Sequence, residues 1–382
     1  MKKELELYIH IPFCVKKCAY CDFLSSVQNE ESREKYVNAL VREIKEYRHL
    51  QAQYVVSTIF IGGGTPSILS SNQIRRIFEA LHCTFKFVKD TEITIEANPG
   101  TVTKEKLDLY RACGINRISF GLQTTNNEEL RLLGRIHTYE EFLESYSLAR
   151  SCGFTNINVD LISAIPKQTV SSWEETLLNV VALNPEHISA YSLIVEEGTP
   201  FASIYGEGAP KEGDLPSEEE ERNIYYQTKN LLKEAGYQHY EISNYAKEGK
   251  ACRHNMGYWK RKDYLGIGLG AASFFEETRY HNTSDFTYYL DNSEKPEQIH
   301  QDIQVLSTEE QMEEFMFLGL RMVEGVSKKE FEQCFGRSIE ECYEKQLKKL
   351  QKEELLEITD DRIILTEHGI DVSNYVLSEF IM

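Results

Sequence analysis

Three cysteines near the start of the chain have the spacing of a loop that holds a metal centre. Cys14, Cys18 and Cys21 follow one another at intervals of four and three residues. Short, unequal loops of this kind wrap a compact inorganic centre and bind it through soft thiolates. Zinc is the alternative, but zinc needs a fourth close ligand, and the next cysteine along the chain is Cys83. The pattern favours a four-iron cluster, whose fourth iron would stay open for a small molecule.

A glycine run lies some forty residues further on, in Gly62-Gly63-Gly64-Thr65-Pro66. Glycines let the backbone approach a ligand closely and leave N–H groups unpaired for its polar atoms. The alternative is a simple turn between a strand and a helix. We therefore expect the run to help bind the small molecule, or else to connect two elements.

The elements that must position these residues alternate between strands and helices. Each predicted strand is followed by a helical pattern, which indicates parallel βα units. Three helices end in related sequences, at Gly114, Gly153 and Gly236, where a glycine suits the left-handed position after a helix. The fold class predicted is therefore α/β, a partial six-stranded (β/α)6 barrel. The six strands are predicted at 5–11, 54–61, 92–97, 117–120, 156–162 and 187–194.

The pattern changes after Pro200. Three domains are predicted: a barrel core over 1–200, an extension over 201–300 and a C-terminal domain over 301–382. The last is mostly helical and contains two alternating runs around Asp360-Asp361, which predict a hairpin beside helices, as in a small winged-helix-like domain. The run 218–221 is predicted to be the solvated first turn of a capped helix.

Composition restricts the function. The chain has 382 residues and a formal net charge of −19. So acidic a protein is a poor match for phosphate backbones, so we expect no nucleic-acid partner. No apolar run approaches the roughly 20 residues that span a bilayer. Glu4, Glu6 and His10 interrupt any leader-like segment, and a cytoplasmic location is expected.

The cysteine loop and the glycine run together resemble the radical S-adenosylmethionine superfamily. The shared features are Cys-x3-Cys-x-Tyr-Cys after a strand and the Gly-Gly-Gly-Thr-Pro element behind it. The resemblance implies a [4Fe–4S] cluster on Cys14, Cys18 and Cys21. Its open iron would chelate the amino and carboxylate groups of S-adenosylmethionine, and the reduced cluster would cleave the sulfonium to a 5′-deoxyadenosyl radical.

Further motifs resemble one branch of that superfamily, which contains the oxygen-independent coproporphyrinogen III dehydrogenases and related haem chaperones. The motifs lie at 8–14, 96–100, 121–123 and 160–169. Position by position, the resemblance implies ten contacts to S-adenosylmethionine. Tyr8 and the backbone of Gly63, Gly64 and Thr65 would contact the ligand. Glu96 would bind its amino group and Arg135 would bind its carboxylate. The ribose would lie beside Gln123 and Asp160, and the adenine beside Ile162 and Ile194. Ser163-Ala164 stands where many relatives have Tyr-Gly, on the adenine side of the implied site.

Two departures favour the haem chaperones within this branch. The dehydrogenases carry a further cysteine two residues after the third ligand, where this chain has Phe23, and they have a longer N-terminal arm. The segment from Cys252 to Trp259 also matches a His-Asn-x-x-Tyr-Trp motif of the chaperones. The resemblance therefore implies a haem chaperone, with dehydrogenase activity as the less favoured alternative.

An imidazole can ligate haem iron, so His254 is the predicted haem ligand and Cys252 a second candidate. The structural alternative is that His254 and Asn255 cap a turn while Tyr258 and Trp259 pack on the core. The expected partners are haem and an acceptor protein associated with the membrane, which would place the chain at the membrane periphery. A homodimer is also expected.

Overall fold

Apolar and polar side chains alternate along the first strand of the barrel. The computed structural model describes residues 2–381. Strand β1 spans Lys3–Ile11, and every second residue is apolar and fully buried: Leu5, Leu7, Ile9 and Ile11. Successive side chains of a strand point to opposite faces. The intervening Glu6, Tyr8 and His10 therefore lie on the other face, which lines the inside of the barrel.

Five more parallel strands follow β1 in sequence order and in spatial order. This arrangement confirms the predicted six-stranded partial barrel. The predicted strands are all present, with bounds that differ by a few residues. The strands are β2 Tyr54–Gly63, β3 Phe87–Ala97, β4 Arg117–Gln123, β5 Ile157–Ser163 and β6 His187–Ser192.

Six further strands extend the sheet at both edges, giving twelve in all. On one side β8 pairs antiparallel with β6, and β7 with β8. On the other side β9 pairs parallel with β1, so the chain returns to its first strand after more than 250 residues. The added strands are β7 Gln238–Glu241, β8 Asn244–Ala246, β9 Tyr264–Ile267, β10 Ala272–Phe275, β11 Thr278–Asn282 and β12 His300–Val305.

The helices of the barrel begin and end where the local chemistry predicts. Ser217 caps α8 in a reciprocal capping box with Glu220, as expected for the acidic run. Gly114, Gly153 and Gly236 have φ of +90°, +86° and +85°, which confirms the left-handed helix ends. The helices are α1 Glu30–Glu46, α2 Ser71–Thr84, α3 Lys104–Ala112, α4 Asn127–Leu132, α5 Tyr139–Ser151, α6 Val170–Ala182, α7 Pro200–Tyr205, α8 Glu218–Glu234, α9 Arg253–Trp259, α10 Phe286–Asn292 and α11 Pro296–Ile299.

A second hydrophobic core lies at the C-terminal end, with members from Met312 to Phe380. Its small sheet has the order β13-β15-β14, and β14 and β15 form the predicted antiparallel hairpin. No helix within residues 2–381 has both the length and the apolar composition to cross a bilayer. The elements are α12 Thr308–Gly319, β13 Val326–Ser327, α13 Lys328–Phe335, α14 Ile339–Lys352, β14 Leu356–Ile358, β15 Arg362–Leu365, α15 Glu367–Asp371 and α16 Ser373–Ser378.

Candidate functional site

The cysteine loop joins β1 to α1 at the carboxyl end of the barrel strands. Its two ends are fastened by backbone hydrogen bonds, from the Cys14 N–H to the Ser26 carbonyl (3.0 Å) and from the Ser26 N–H to the Pro12 carbonyl (2.9 Å). Cys14, Cys18 and Cys21 are all free and partly exposed. Burial raises the pKa of the Cys21 thiol, and the nearby Cys18 and Cys14 raise it further. The loop therefore brings the three thiols into one neighbourhood with access from outside.

The donor set fits a cluster in its chemistry. Within residues 2–381, no three His, Cys, Asp or Glu side chains converge closely enough to hold a single metal ion. A four-iron cluster is several atoms wide, so its ligands stand farther apart than those of one ion. Three thiolates on one short loop are the ligand type that such clusters use.

Two of the thiols have hydrogen-bond donors beside them. The Thr65 hydroxyl donates to Cys14 Sγ over 3.6 Å, and Arg135 Nη1 donates to Cys18 Sγ over the same distance. Thr65 follows the glycine run after β2, and Arg135 lies in the turn between α4 and α5. Sequence positions far apart thus meet at the cysteine loop, and the predicted contacts of Thr65 and Arg135 to S-adenosylmethionine stay predictions.

The glycine run approaches its neighbours closely. A Cβ on Gly64 would lie 2.6 Å from the Phe13 carbonyl oxygen, and a Cβ on Gly62 would lie 2.8 Å from Glu96 Oε2. The expectation that the run leaves N–H groups unpaired is wrong. The N–H groups of Gly63, Gly64 and Thr65 donate to Glu96 Oε2, to the Ile11 carbonyl and to the Phe13 carbonyl, at 3.0, 2.8 and 2.7 Å.

Glu96 and Asp160 lie together inside the carboxyl half of the barrel. Burial, with a smaller contribution from the carboxylate of Asp160, raises the pKa of Glu96 to about 8. Burial also raises the pKa of Asp160, which accepts hydrogen bonds from Ser119 Oγ (2.8 Å) and Asn158 Nδ2 (2.7 Å). A cation placed beside this pair would favour the ionised form of both carboxyl groups and would be stabilised by their charge.

Arg135 has a buried donor that fits a bound carboxylate. Its Nη2 donates to Asn98 Oδ1 (2.7 Å) and to the Gly121 carbonyl (2.6 Å). Its Nε is buried and has no hydrogen-bond partner in the described part of the chain. A buried guanidinium nitrogen without an acceptor is costly, so an anionic ligand group would satisfy it.

The remaining predicted contacts are placed unevenly. Tyr8 bonds His10 Nδ1 through its hydroxyl (3.0 Å), and Gln123 ends β4 with a φ of +79°. Ile162 packs in a small apolar cluster that also contacts Ala19 and Tyr20 of the cysteine loop. Ile194 lies beyond the end of β6, and 68% of its surface is exposed. The structure therefore brings Ile162 to the loop, while Ile194 stands apart in solvent.

His254 lies at the opposite end of the barrel from the cysteine loop. Its ring is 1% exposed, and its nitrogens bond Thr58 Oγ1 (2.7 Å, from Nδ1) and the Tyr258 hydroxyl (2.8 Å, from Nε2). Thr58 is five residues before the end of β2, which corresponds to about 16 Å along a strand. Both nitrogens are thus occupied, and this geometry favours the structural alternative for His254. Haem ligation by His254 remains a prediction.

Cys252 is fully buried beside the same helix. Its Sγ donates to Glu92 Oε1 over 3.6 Å, and burial raises its pKa to about 12. A thiol held protonated in this way is a poor metal ligand. Cys252 therefore serves the packing of α9 in this conformation, and its haem role likewise remains a prediction.

Two residues of the site were not predicted, although both lie in the motifs already singled out. Asn98 contacts both Thr65 and Arg135, and His10 ties the cysteine loop to β1 through the Leu24 carbonyl (2.9 Å from Nε2). Both act through partners distant in sequence. Their motif positions were the only sequence signal, and it did not reveal those partners.

The parallel barrel, the three-cysteine loop and the glycine run define a radical SAM domain. Residues 8–180 match the radical SAM superfamily, and residues 306–372 match the HemN C-terminal domain. The chain is 37% identical to the protein named heme chaperone HemW from Bacillus subtilis over 98% of both chains. It is 35% identical to the Lactococcus lactis protein of the same name, over 100% of this chain and 98% of the relative.

The chain therefore belongs to the HemW family of the radical SAM superfamily. Among solved structures it resembles coproporphyrinogen III oxidase (HemN) from Escherichia coli, described as a radical SAM enzyme. The TM-score is 0.87 at 28% identity, over 99% of this chain and 90% of that one. A [4Fe–4S] cluster and S-adenosylmethionine are the cofactors that this superfamily implies.

Proposed function

We propose that this protein is a haem chaperone that binds a [4Fe–4S] cluster with S-adenosylmethionine, binds haem, and transfers the haem to an acceptor protein. The observation that carries the proposal is full-length similarity to proteins named heme chaperone HemW, at 35–37% identity. The cysteine loop with its two flanking donors supports the cofactor part. Phe23, where the dehydrogenases have a further cysteine, supports the choice of branch.

In this proposal Cys14, Cys18 and Cys21 hold the cluster. Arg135 Nε would pair with the carboxylate of S-adenosylmethionine, and the Glu96 and Asp160 region would meet its cationic and ribose groups. Tyr8, Gly63, Gly64, Thr65 and Gln123 would also contact S-adenosylmethionine, and Ile162 and Ile194 would lie on its adenine side. When bound, the two cofactors together supply one-electron chemistry.

The haem site is proposed separately from these residues. His254 would become available to haem iron only if its ring left Thr58 and Tyr258, so the proposal for His254 requires rotation of its side chain as well as any movement of α9. We propose further that the acceptor is associated with the membrane, and that the chain acts in the cytoplasm at the membrane periphery. A homodimer and the absence of a nucleic-acid partner complete the proposal, the latter supported by the net charge of −19.

The alternative is oxidative decarboxylation of coproporphyrinogen III. One observation favours it: the fold matches the HemN structure over almost the whole chain, with a TM-score of 0.87. A shared fold supports several functions, so the choice depends on the site residues and on assay.

Haem titration tests the proposal. The protein, with its cluster reconstituted anaerobically, is titrated with haem and followed by absorbance. We expect saturation at about one haem per chain, and absence of binding would contradict the proposal. His254→Ala and Tyr258→Phe are compared in the same titration and by chemical denaturation. A haem ligand predicts loss of binding in His254→Ala only, whereas a structural His254 predicts lower stability with haem binding retained.

A further inference from the structure

A continuous chain of side chains joins two of the three cluster cysteines. It runs from Cys14 through Thr65, Asn98 and Arg135 to Cys18. Asn98 Nδ2 donates to Thr65 Oγ1 over 2.8 Å, and Asn98 Oδ1 accepts from Arg135 Nη2 over 2.7 Å. At the outer ends, Thr65 Oγ1 donates to Cys14 Sγ and Arg135 Nη1 donates to Cys18 Sγ, each over 3.6 Å. One amide therefore stands at the centre of two donors aimed at two sulfurs.

The direction of each hydrogen bond follows from the groups involved. A guanidinium only donates, so the amide oxygen of Asn98 must face Arg135 and its NH2 must face Thr65. A threonine hydroxyl has one proton. Because Asn98 donates to that oxygen, the hydroxyl proton remains for Cys14. An acceptor in the place of the amide NH2 would draw the proton away from the sulfur.

Hydrogen bonds hold the backbone of Asn98 in place. Its own backbone N–H donates to Ser67 Oγ over 3.2 Å, and Ser67 Oγ bonds Thr101 Oγ1 over 2.5 Å. Asn98 lies directly after β3, whose Glu96 accepts from the Gly63 N–H. The backbone of Asn98 is thus fixed by the end of β3 and by the turn that follows it. The position of its side-chain amide therefore does not depend only on Thr65 and Arg135.

We propose that Asn98 is a positioning residue that aims the Thr65 hydroxyl and the Arg135 guanidinium at the cluster thiolates and so sets the reduction potential of the cluster. This rests on the proposed cluster site. Hydrogen bonds to ligating sulfur stabilise the more negative, reduced state, and their number tunes the potential of iron–sulfur centres. Asn98 does so without touching a ligand, because it decides where two donors point.

Asn98→Asp is the sharpest test, because the carboxylate has nearly the same shape and no donor. The Thr65 proton would then turn to the carboxylate, Cys14 would lose its hydrogen bond, and the added negative charge would act in the same direction. We expect a midpoint potential more negative than that of the unmodified protein. The measurement is a potentiometric titration of the reconstituted cluster, followed by electron paramagnetic resonance.

Thr65→Val separates the hydrogen bond from the charge. It removes the hydroxyl without adding charge, and we expect a negative shift of the potential. In the Thr65→Val background, Asn98→Asp should shift the potential by less than it does alone, because no hydroxyl proton is left to redirect. Equal shifts in the two backgrounds would overturn the proposal.

Asn98→Ala is the second variant, in case the carboxylate impairs cluster assembly. The substitution removes the amide that orients the Thr65 hydroxyl and the Arg135 guanidinium. We again expect a more negative midpoint potential of the cluster. An unchanged potential in a fully loaded Asn98→Ala protein would contradict the role of Asn98. Failure of the unmodified protein to bind a cluster would instead contradict the proposed function, so the two failures are distinguishable.

Discussion

Glu6 and His254 form an unusual contact near the amino end of the barrel strands. Glu6 is fully buried, and neither of its carboxyl oxygens has a hydrogen-bond partner in the described chain. Its Oε2 lies 3.7 Å from His254 Nδ1. Burial raises the pKa of Glu6 to about 8 and lowers that of His254 to about 3. At neutral pH both groups are therefore largely uncharged, and the contact is not an ion pair.

Stability should consequently depend on pH through Glu6. Folded Glu6 keeps its proton up to pH 8, whereas the unfolded chain releases it near pH 4.5, so the folded state binds more protons between these values. Stability is then lost as pH rises through that window, at up to about 1.4 kcal/mol per pH unit. The charged groups that act on Glu6 are Lys262, Glu92, Glu4 and Arg253.

Glu6→Gln isolates this dependence. The glutamine amide does not titrate. The free energy of unfolding of the Glu6→Gln variant, minus that of the unmodified protein, should therefore grow from pH 5 to pH 8 and then level off. Urea denaturation at each pH measures the difference. Parallel stability curves for the two proteins would show that Glu6 is ionised in the folded state.

At the scale of elements, α9 is attached to the barrel by a carboxylate of β3. Glu92 accepts from the N–H groups of Arg253 (3.2 Å) and His254 (3.2 Å), and from the Cys252 thiol. The first N–H groups of a helix lack partners within the helix, and a negative charge there is favourable. Glu92 thus caps α9 from outside the helix.

Glu92→Ala should therefore lower the free energy of unfolding by about 2 kcal/mol, since the substitution leaves buried helix N–H groups without an acceptor. The matched control is Glu79→Ala on the exposed face of α2, which should change the stability by less than about 0.5 kcal/mol. Chemical denaturation of both variants provides the comparison. Equal effects would mean that Glu92 does not fasten α9.

The cysteine loop gives a second prediction at this scale. Cys18→Ser removes a soft thiolate from the loop. A complete cluster corresponds to about four iron atoms per chain, and the iron bound to this variant after anaerobic reconstitution should fall well below that number. Cys83→Ser is the control, because Cys83 is an exposed cysteine at the end of α2. Iron and sulfide analysis distinguishes the two, and equal iron content in both would contradict the proposed cluster site.

For the whole molecule, the barrel was predictable because its signals are local. Each βα unit carries its own strand pattern and helical pattern, two of the helices between the strands end at Gly114 and Gly153, and the strands follow the order β1 to β6. The return of β9 to β1 was not predictable, since it pairs segments more than 250 residues apart. Thr65 and Arg135 were named from motifs, yet their meeting at Asn98 depends on tertiary packing.

The position of His254 shows the same limit. Its motif identified the residue types, but the barrel interior decides that its ring bonds Thr58 and Tyr258 far from the cysteine loop. Tyr258 lies four residues away on the same helix, whereas Thr58 is distant in sequence, and its contact with His254 depends on tertiary packing.

The central claim is tested most directly by one parallel assay of the reconstituted protein with S-adenosylmethionine under strong reduction. One half receives haem and is separated from free haem by gel filtration, and the other half receives coproporphyrinogen III. We predict that haem stays with the protein at about one per chain and that no protoporphyrinogen IX forms. Formation of protoporphyrinogen IX without retained haem would contradict the account and identify the protein as a dehydrogenase.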